Sequence, residues 1–192
     1  MSIKLPNKSK NPDAWDEHVL RDNGIFLFMT GVNSESCRSA IEFILLHNLQ
    51  PKKLPRLQLM ICSPGGSVDA CFALIEVMKG SKIPIHTLGL GMIASCGILL
   101  FMSGEKGERI LTPNTSILSH QWAWGSYGKE HELFASQKEF DLTGKRMRAH
   151  YRKCTGLTDK VIDKYLLPPS DMWLTAQEAK KFKICDKIKT VY

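Results

Sequence analysis

The stretch that decides the fold is Leu57-Gln58-Leu59-Met60-Ile61-Cys62-Ser63-Pro64-Gly65-Gly66-Ser67-Val68. Its first five residues form an apolar run that is typical of a buried strand. The Ser-Pro-Gly-Gly turn at 63–66 ends this strand, because proline lacks a backbone donor and glycine favours turn conformations. Residues 68–78 then show the spacing of an amphipathic helix, which Gly80 closes. A strand that turns directly into a helix predicts an α/β fold with a mostly parallel sheet.

The same alternation of strands and helices continues on both sides of this stretch. The spacing predicts further strands over residues 25–29, 83–90 and 116–120, and further helices over 34–46, 98–102, 160–166 and 176–182. Ser34 is the expected N-cap of the helix at 34–46. No internal repeat or linker interrupts the chain, so we predict a single domain over residues 1–192, with a polar, loosely ordered N-terminal segment at 1–23.

Residues 129–154 form a long, charged segment of helical spacing. We predict a helix that protrudes from the domain and carries an apolar stripe of Phe134, Phe140, Met147 and Tyr151. Such a stripe requires a partner, because a large exposed apolar patch marks an interaction site. The alternative is a long surface helix that packs against its own domain.

The composition is that of an ordinary globular protein, with 43% hydrophobic and 23% charged residues. No uninterrupted apolar run approaches the roughly 18 residues of a transmembrane helix. Residues 1–8 also lack the apolar core of a signal peptide. We therefore expect a cytoplasmic protein with no membrane partner.

The net charge of +7 raises the question of a nucleic-acid partner. The basic residues are scattered and none of their clusters is interleaved with aromatic residues, so we expect no nucleic-acid binding. The six cysteines contain no Cys-x-x-Cys pair, which argues against a disulfide framework or a metal site. We expect Cys62, Cys71 and Cys96 to be small core residues.

Three short motifs carry residue types that are used in catalysis. The glycines at 65 and 66 let the backbone approach a ligand and point amide hydrogens at it, although Pro-Gly-Gly also makes plain turns. Ser95 follows a predicted strand and begins an apolar helix, where it is either a nucleophile beside helix amides or a simple N-cap. His120 ends a predicted strand, where it is either a general base or a structural histidine.

In this order, the motifs resemble those of the ClpP family, the proteolytic subunits of Clp protease. That family has Ser-Pro-Gly-Gly, then Ala-Ser-x-Gly, then His-Gln, and near its end an acidic motif to which residues 171–179 are similar. Residues 104–109 and 111–115 are similar to two further family motifs. The resemblance covers residues 25–188. It implies a ClpP/crotonase-like fold of repeated ββα units, with a protruding handle helix at about 129–154.

The resemblance also implies a role for each motif residue. Ser95 is the expected nucleophile, His120 the general base and Asp171 the acid that orients the base. The backbone amides of Gly66 and Cys96 are the expected oxyanion hole. The implied function is a serine endopeptidase that cleaves polypeptides inside a homo-oligomer of heptameric rings stacked as a tetradecamer.

The implied partner is an AAA+ Clp unfoldase, such as ClpX, ClpA or ClpC, which delivers unfolded proteins. The chain has no Gly-x-x-x-x-Gly-Lys-Ser/Thr loop. We therefore expect no cofactor in this chain and assign ATP only to the partner ATPase.

Three departures from the family pattern stand near the expected site. Trp122 replaces a common proline, Ser170 replaces a frequent arginine, and residues 166–169 are longer than the family norm. Two other functions stay open: a crotonase-like acyl-CoA enzyme, which shares the fold and an amide oxyanion hole, and a catalytically weak or regulatory ring subunit. A crotonase does not need three triad residues and a regulatory subunit usually lacks one, so the complete set favours the peptidase.

Overall fold

The computed structural model describes residues 17–191 of the chain. Residues 1–16 of the expected loose N-terminal segment lie outside that range. The described part of the segment begins with a helix rather than irregular chain. Two contacts with the next helix, Ser34–Leu49, hold it: the Arg21 side chain donates to the Ser39 hydroxyl, and the Arg21 carbonyl oxygen accepts a hydrogen bond from the His47 ring.

Strands and helices alternate through the described residues. In chain order they are α1 Glu17–Asp22, β1 Ile25–Phe28, α2 Ser34–Leu49, β2 Leu57–Ser63, α3 Val68–Gly80, β3 Ile85–Ala94, α4 Cys96–Met102, β4 Arg109–Leu111, β5 Ser116–Ser119, α5 Glu130–Thr155, α6 Asp159–Tyr165, β6 Met172–Thr175, α7 Ala176–Lys181 and β7 Lys187–Ile188. No helix within residues 17–191 is long and apolar enough to cross a membrane.

One twisted sheet organises these elements. Strands β1, β2, β3, β4 and β7 lie side by side in that order and pair in parallel. Strand β6 pairs antiparallel with β5, which itself runs parallel to β3. The expected α/β fold with a mostly parallel sheet is therefore confirmed.

Strand β3 changes its partner along its length, and this change positions the site. Its residues 87–89 pair with β4, whereas its residues 92–94 pair with β5. Gly91 lies between the two halves with a φ of 59°, a conformation that glycine adopts without steric cost. The bend carries the carboxyl end of β3 away from β4 and against β5.

The core forms where helices cover the apolar faces of the central strands. Along β2, alternate residues are fully buried, as the period of a half-covered strand requires. Helix α4 is buried along its whole length, which explains its uninterrupted apolar sequence. Cys71 and Cys96 belong to this core as expected, whereas Cys62 is only half-buried.

Several local expectations need correction. The N-cap of α2 is Asn33 rather than Ser34, since the Asn33 side chain accepts a bond of 2.8 Å from the Ser36 amide. Strands β4, β6 and β7 were not expected from the sequence. They contain only two to four residues each, too few to show a period, and exist because neighbouring strands pair with them.

Helix α5 is the expected protruding helix, but its apolar residues serve two different purposes. Met147 and Tyr151 are buried in the core of their own domain. The prediction that these two residues belong to an apolar stripe that needs a partner is therefore wrong. In the half before Thr143, Phe134 is 69% exposed. Phe140 stacks on Trp122 with ring centroids 4.8 Å apart. The carboxyl half of the helix is thus anchored in the core. We call the part before Thr143 the free half, because it leaves Phe134 exposed although Phe140 packs on Trp122.

Candidate active site

Ser95 stands at the junction of β3 and α4 in a strained backbone conformation. Its φ of 55° and ψ of −133° are unusual for a residue with a side chain. Its amide donates to the Leu118 carbonyl over 2.8 Å, which ties the residue to β5. Its side chain makes no capping hydrogen bond to α4, so the interpretation of Ser95 as a simple N-cap is wrong. Strain of this kind concentrates at functional sites.

The Pro-Gly-Gly turn packs directly against Ser95. A Cβ placed on Gly65 would lie 2.6 Å from the Ser95 Cβ and 2.7 Å from the Ala94 carbonyl oxygen, closer than real Cβ atoms approach. A Cβ on Gly66 would overlap the Val32 carbonyl. Both glycines also have positive φ, at 87° and 145°. The turn therefore requires two glycines because its backbone touches the candidate nucleophile on one side and a strand-like segment on the other.

His120 and Asp171 lie at adjoining ends of two antiparallel strands. The register pairs Ser116 with Thr175 and Ser119 with Met172. His120 directly follows the last paired residue of β5, and Asp171 directly precedes the first paired residue of β6. Because β5 also pairs with β3 up to Ala94, all three predicted triad residues lie at the same edge of the sheet.

We define Ser95, His120 and Asp171 as the catalytic cluster. The side chains of these three residues do not contact one another through hydrogen bonds or ion pairs in the described chain. Within residues 17–191, no hydrogen bond links the Ser95 hydroxyl to His120, and no ion pair links His120 to Asp171. Ser95 and His120 are half-buried, and Asp171 is exposed. The backbone thus brings the three residues together while their side chains stay open to solvent. Hydrogen bonds of a catalytic site are often long before substrate binds.

The residues beside His120 are held much more firmly. Ser119 is fully buried, and its hydroxyl bonds to the Tyr151 hydroxyl at 2.9 Å and to the Leu166 carbonyl. Burial raises the pKa of Tyr151 to about 12, so this phenol stays a neutral donor. On the other side of His120, the Gln121 side chain donates to the Leu167 carbonyl over 3.0 Å. We call Ser119, Tyr151 and Leu166 the inner cluster.

The two amides expected to form the oxyanion hole, those of Gly66 and Cys96, lie next to the Cys96 thiol. Neither Gly66 nor Cys96 donates its amide to a backbone carbonyl in the described chain. The bridge between Val32 and Gly66 uses the Gly65 carbonyl and the Ser67 amide instead. A hydrogen bond from the Cys71 thiol lowers the pKa of the Cys96 thiol against the effect of burial, and the nearby Gly66 amide lowers it further.

Comparison with known proteins identifies the family of this chain. The family model described as Clp protease matches residues 8–191. The chain belongs to the Clp protease family. The ATP-dependent Clp protease proteolytic subunit 1 of Corynebacterium jeikeium is 32% identical over 190 residues, which cover 99% of this chain and 97% of that one. The subunit of the same name from Chlamydia caviae is 34% identical over 182 residues, or 94% and 93% of the two chains.

A solved structure extends the likeness to three dimensions. A point mutant of ClpP1 from Listeria monocytogenes superposes with a TM-score of 0.78 at 26% identity, covering 90% of this chain and 94% of that one. The expected ClpP fold is thus confirmed. Because the named relatives are proteolytic subunits of Clp protease, the expected enzyme class, a serine-type peptidase, is confirmed at the level of the family.

In this Clp protease chain, Trp122 shapes the surface next to the catalytic cluster. A groove of about 310 Å³, which we call the Gly66 groove, runs from Gly66 between the start of α3, residues 122–124 and α5. Trp122 separates it from a second cavity of about 330 Å³ that Gln121 and Leu167 line. The indole keeps this position because it stacks on Phe140 at an interplanar angle of 19°.

Sequence reasoning missed several residues that support the site. The contact of Gly65 with Ser95 and the bonds of Ser119 join segments that are distant in sequence, so no local pattern indicates them. One signal was visible: Ser119 occupies a buried position in the alternation of β5 and had to find polar partners. The buried ion pair between Arg109 and Asp186, at 2.6 Å, was equally invisible.

Proposed function

We propose that this chain is a serine endopeptidase in which Ser95, His120 and Asp171 form the catalytic triad. The observation that supports the proposal is the strand register, in which the paired segments of β3, β5 and β6 end next to Ser95, His120 and Asp171. Ser95 also has the strained conformation and the free hydroxyl that a nucleophile requires. Asp163, the next carboxylate that could serve, is bound to Arg148 at 2.9 Å on an exposed face instead.

The reaction follows from these positions. His120 takes the proton of the Ser95 hydroxyl as its oxygen bonds to the peptide carbonyl carbon, and Asp171 stabilises the resulting imidazolium. The carbonyl oxygen becomes an oxyanion that accepts hydrogen bonds from the amides of Gly66 and Cys96. His120 returns the proton to the leaving amine when the C–N bond breaks. Water then cleaves the acyl ester by the same proton transfers.

The Gly66 groove is the proposed path of the polypeptide substrate. It begins at one of the two oxyanion amides, so a chain lying in it presents a carbonyl to Ser95. Two carboxylates on its walls, Asp69 and Glu139, both contact Arg146, at 3.4 Å and 2.6 Å. Arg146 offsets one of these two negative charges, and Trp122 and Trp124 supply the aromatic surface of the groove.

Assembly into stacked heptameric rings, a homo-tetradecamer, is part of the proposal. The free half of α5 exposes Phe134 and Leu133, and a symmetric contact would bury both. We propose that this burial also orders Asp171 beside His120 and so closes the catalytic cluster. In the cytoplasm, an AAA+ Clp unfoldase such as ClpX, ClpA or ClpC would feed unfolded proteins into the chamber and use the ATP. The chain itself would need no cofactor.

One observation favours a second candidate, a catalytically weak or regulatory ring subunit. The side chains of the catalytic cluster are not hydrogen-bonded to one another in the described chain. A regulatory subunit would keep them apart in every state, whereas an active peptidase would bring them into contact on assembly or substrate binding. The crotonase-like alternative has no comparable support, because the relatives found are proteolytic subunits.

The test uses a fluorophosphonate probe and short fluorogenic peptides on the full chain. The probe should label Ser95, and the Ser95→Ala variant should lose both labelling and peptide cleavage while its assembly and melting temperature stay unchanged. Undiminished cleavage by pure Ser95→Ala protein would refute the triad. Absence of labelling and cleavage in the assembled unmodified chain, with and without an unfoldase and ATP, would instead support the regulatory subunit.

A further inference from the structure

A basic cavity lies away from the catalytic cluster. It has a volume of about 430 Å³ and is enclosed by the loop before β4, the end of α5 and the end of α7. Four lysines line it: Lys106, Lys153, Lys180 and Lys183. It shares no lining residue with the Gly66 groove.

The positive charge of this cavity is not balanced by its surroundings. Asp186 also lines it, but both of its carboxylate oxygens bind the Arg109 guanidinium, so that pair is neutral overall. Two amides, those of Gly107 and Arg109, occupy the same carboxylate further. Within residues 17–191, none of the four lysines forms an ion pair.

Helix ends account for only part of this charge. Lys153 and Lys180 lie in the last turns of α5 and α7, where a cation complements the helix dipole. Each helix end carries about half a negative charge, so the two ends together offset roughly one lysine. Lys106 and Lys183 lie outside helices and have no such reason for their positions. A clear excess of positive charge faces the cavity.

Lys183 is an independent indication, because its backbone favours a different residue. It has a φ of 59° just after α7. Its amide donates to the Lys180 carbonyl and the Ile184 amide to the Ala179 carbonyl, the pattern of a Schellman motif. Glycine is strongly preferred at this position, since a side chain is strained there. Lys183 thus occupies a position that its side chain disfavours, and that residue lines the cavity.

We infer that this cavity binds a small anion with several phosphate charges, such as pyrophosphate or a short inorganic polyphosphate. The inference joins the four unpaired lysines, the neutralised carboxylate and the strained Lys183. No aromatic residue lines the cavity, so nothing in it stacks on a nucleobase. The phosphate groups alone would therefore be recognised, and a nucleoside attached to them would add little affinity. The inference does not depend on whether Ser95 is catalytic.

The test is calorimetric titration of the full chain with tripolyphosphate at low ionic strength and without divalent metal. Lys180 and Lys181 provide a matched pair: both are exposed in the last turn of α7, and only Lys180 lines the cavity. Lys180→Ala should weaken binding by about two- to fivefold, as expected for one exposed charge pair. Lys181→Ala should leave the dissociation constant unchanged.

Lys183→Gly separates binding from folding. It removes a cavity lysine and also relieves the strained backbone, so the variant should melt no earlier than the unmodified chain but bind tripolyphosphate more weakly. The double variant with Lys180→Ala should lose about tenfold. Equal losses in Lys180→Ala and Lys181→Ala would reduce the effect to general surface charge and overturn the inference. So would undetectable binding by the unmodified chain, or ADP binding more than tenfold tighter than pyrophosphate.

Discussion

The inner cluster and the catalytic cluster meet at one peptide bond, yet they differ in almost every property. Ser119 is fully buried and bonded twice, to Tyr151 and to the Leu166 carbonyl. His120, the next residue, is half-buried and bonded neither to Ser95 nor to Asp171 within residues 17–191. The strand end is thus rigid on its inner side and open on its outer side.

This difference separates two tasks that a catalytic site must perform. The inner cluster fixes the backbone from which His120 projects, because a buried hydroxyl is costly to leave without a partner. The catalytic cluster keeps its side chains free to meet substrate. Under the proposed function, a fixed backbone with adjustable side chains would let assembly or substrate binding complete the site.

Asp171→Asn tests the outer side and should have the largest effect. Asn would hold His120 in the wrong tautomer, and we expect a fall in kcat of about a thousandfold or more. The melting temperature should not change, because Asp171 is exposed and has no hydrogen bond to lose in the described chain. Steady-state peptide hydrolysis and thermal melting measure both quantities.

Asp163→Asn is the matched control. Asp163 is also exposed and lies in α6, where it binds Arg148 rather than His120. Its substitution should leave kcat within about twofold, since an exposed ion pair contributes little. If Asp163→Asn lowered kcat severely and Asp171→Asn left it nearly normal, Asp163 would be the triad acid. Asp171 would then not belong to the catalytic cluster.

The buried ring of His150 leads us to expect that the folded chain becomes less stable in acid. Burial lowers the pKa of His150 to about 4, from an ordinary value of 6.5. Its ring is buried between the Leu99 carbonyl at 2.9 Å, Ser103, Cys154 and the Phe72 ring. Between pH 6.5 and 4 the unfolded chain binds more protons than the folded one, so the free energy of unfolding falls as the pH falls, by about 3 kcal/mol in all.

Denaturant unfolding at several pH values, compared with His150→Gln, measures this effect. The variant should lose most of the dependence between pH 6.5 and 4.5, whereas His131→Gln, at an exposed position in the same helix, should keep it. An unchanged dependence in His150→Gln would place the acid sensitivity elsewhere.

Phe134→Glu tests whether assembly closes the catalytic cluster. Phe134 is 69% exposed in the free half of α5, and burying such a ring contributes about 2 kcal/mol. The variant should dissociate at higher protein concentration and lose peptidase activity in parallel, by sedimentation and peptide cleavage across a dilution series. Ala135→Glu adds the same charge beside it and should change neither. Full activity in dissociated Phe134→Glu protomers would show that the cluster closes without assembly.

Tyr151→Phe tests the inner side and should have the smallest effect. It removes one buried hydrogen bond to Ser119 but leaves the Leu166 carbonyl as a partner. We expect a loss of about 1 kcal/mol in the free energy of unfolding, with kcat within about twofold. Tyr127→Phe, at a fully exposed position, should change neither quantity. A large fall in kcat for Tyr151→Phe would show that the inner cluster also aligns His120.

The sequence by itself determined the elements whose signals are local. Apolar or periodic runs predicted strands β1, β2 and β3 and helices α3 and α5. The predicted ends differ from the observed ends by a few residues at most. The order of the short motifs was enough to indicate the family. The type of element follows from such runs, because the period of apolar residues depends on one segment alone.

Only the tertiary structure decided how distant segments meet. The pairing of β5 with β6 brings together the segments that carry His120 and Asp171, and the stacking of Phe140 on Trp122 removes a residue from the expected interface. Met147 and Tyr151 entered the core, whereas Phe140, which shares their helical spacing, stays outside it. A helical period shows which residues share a face but not where along the helix that face leaves the domain, since neighbouring elements set that point.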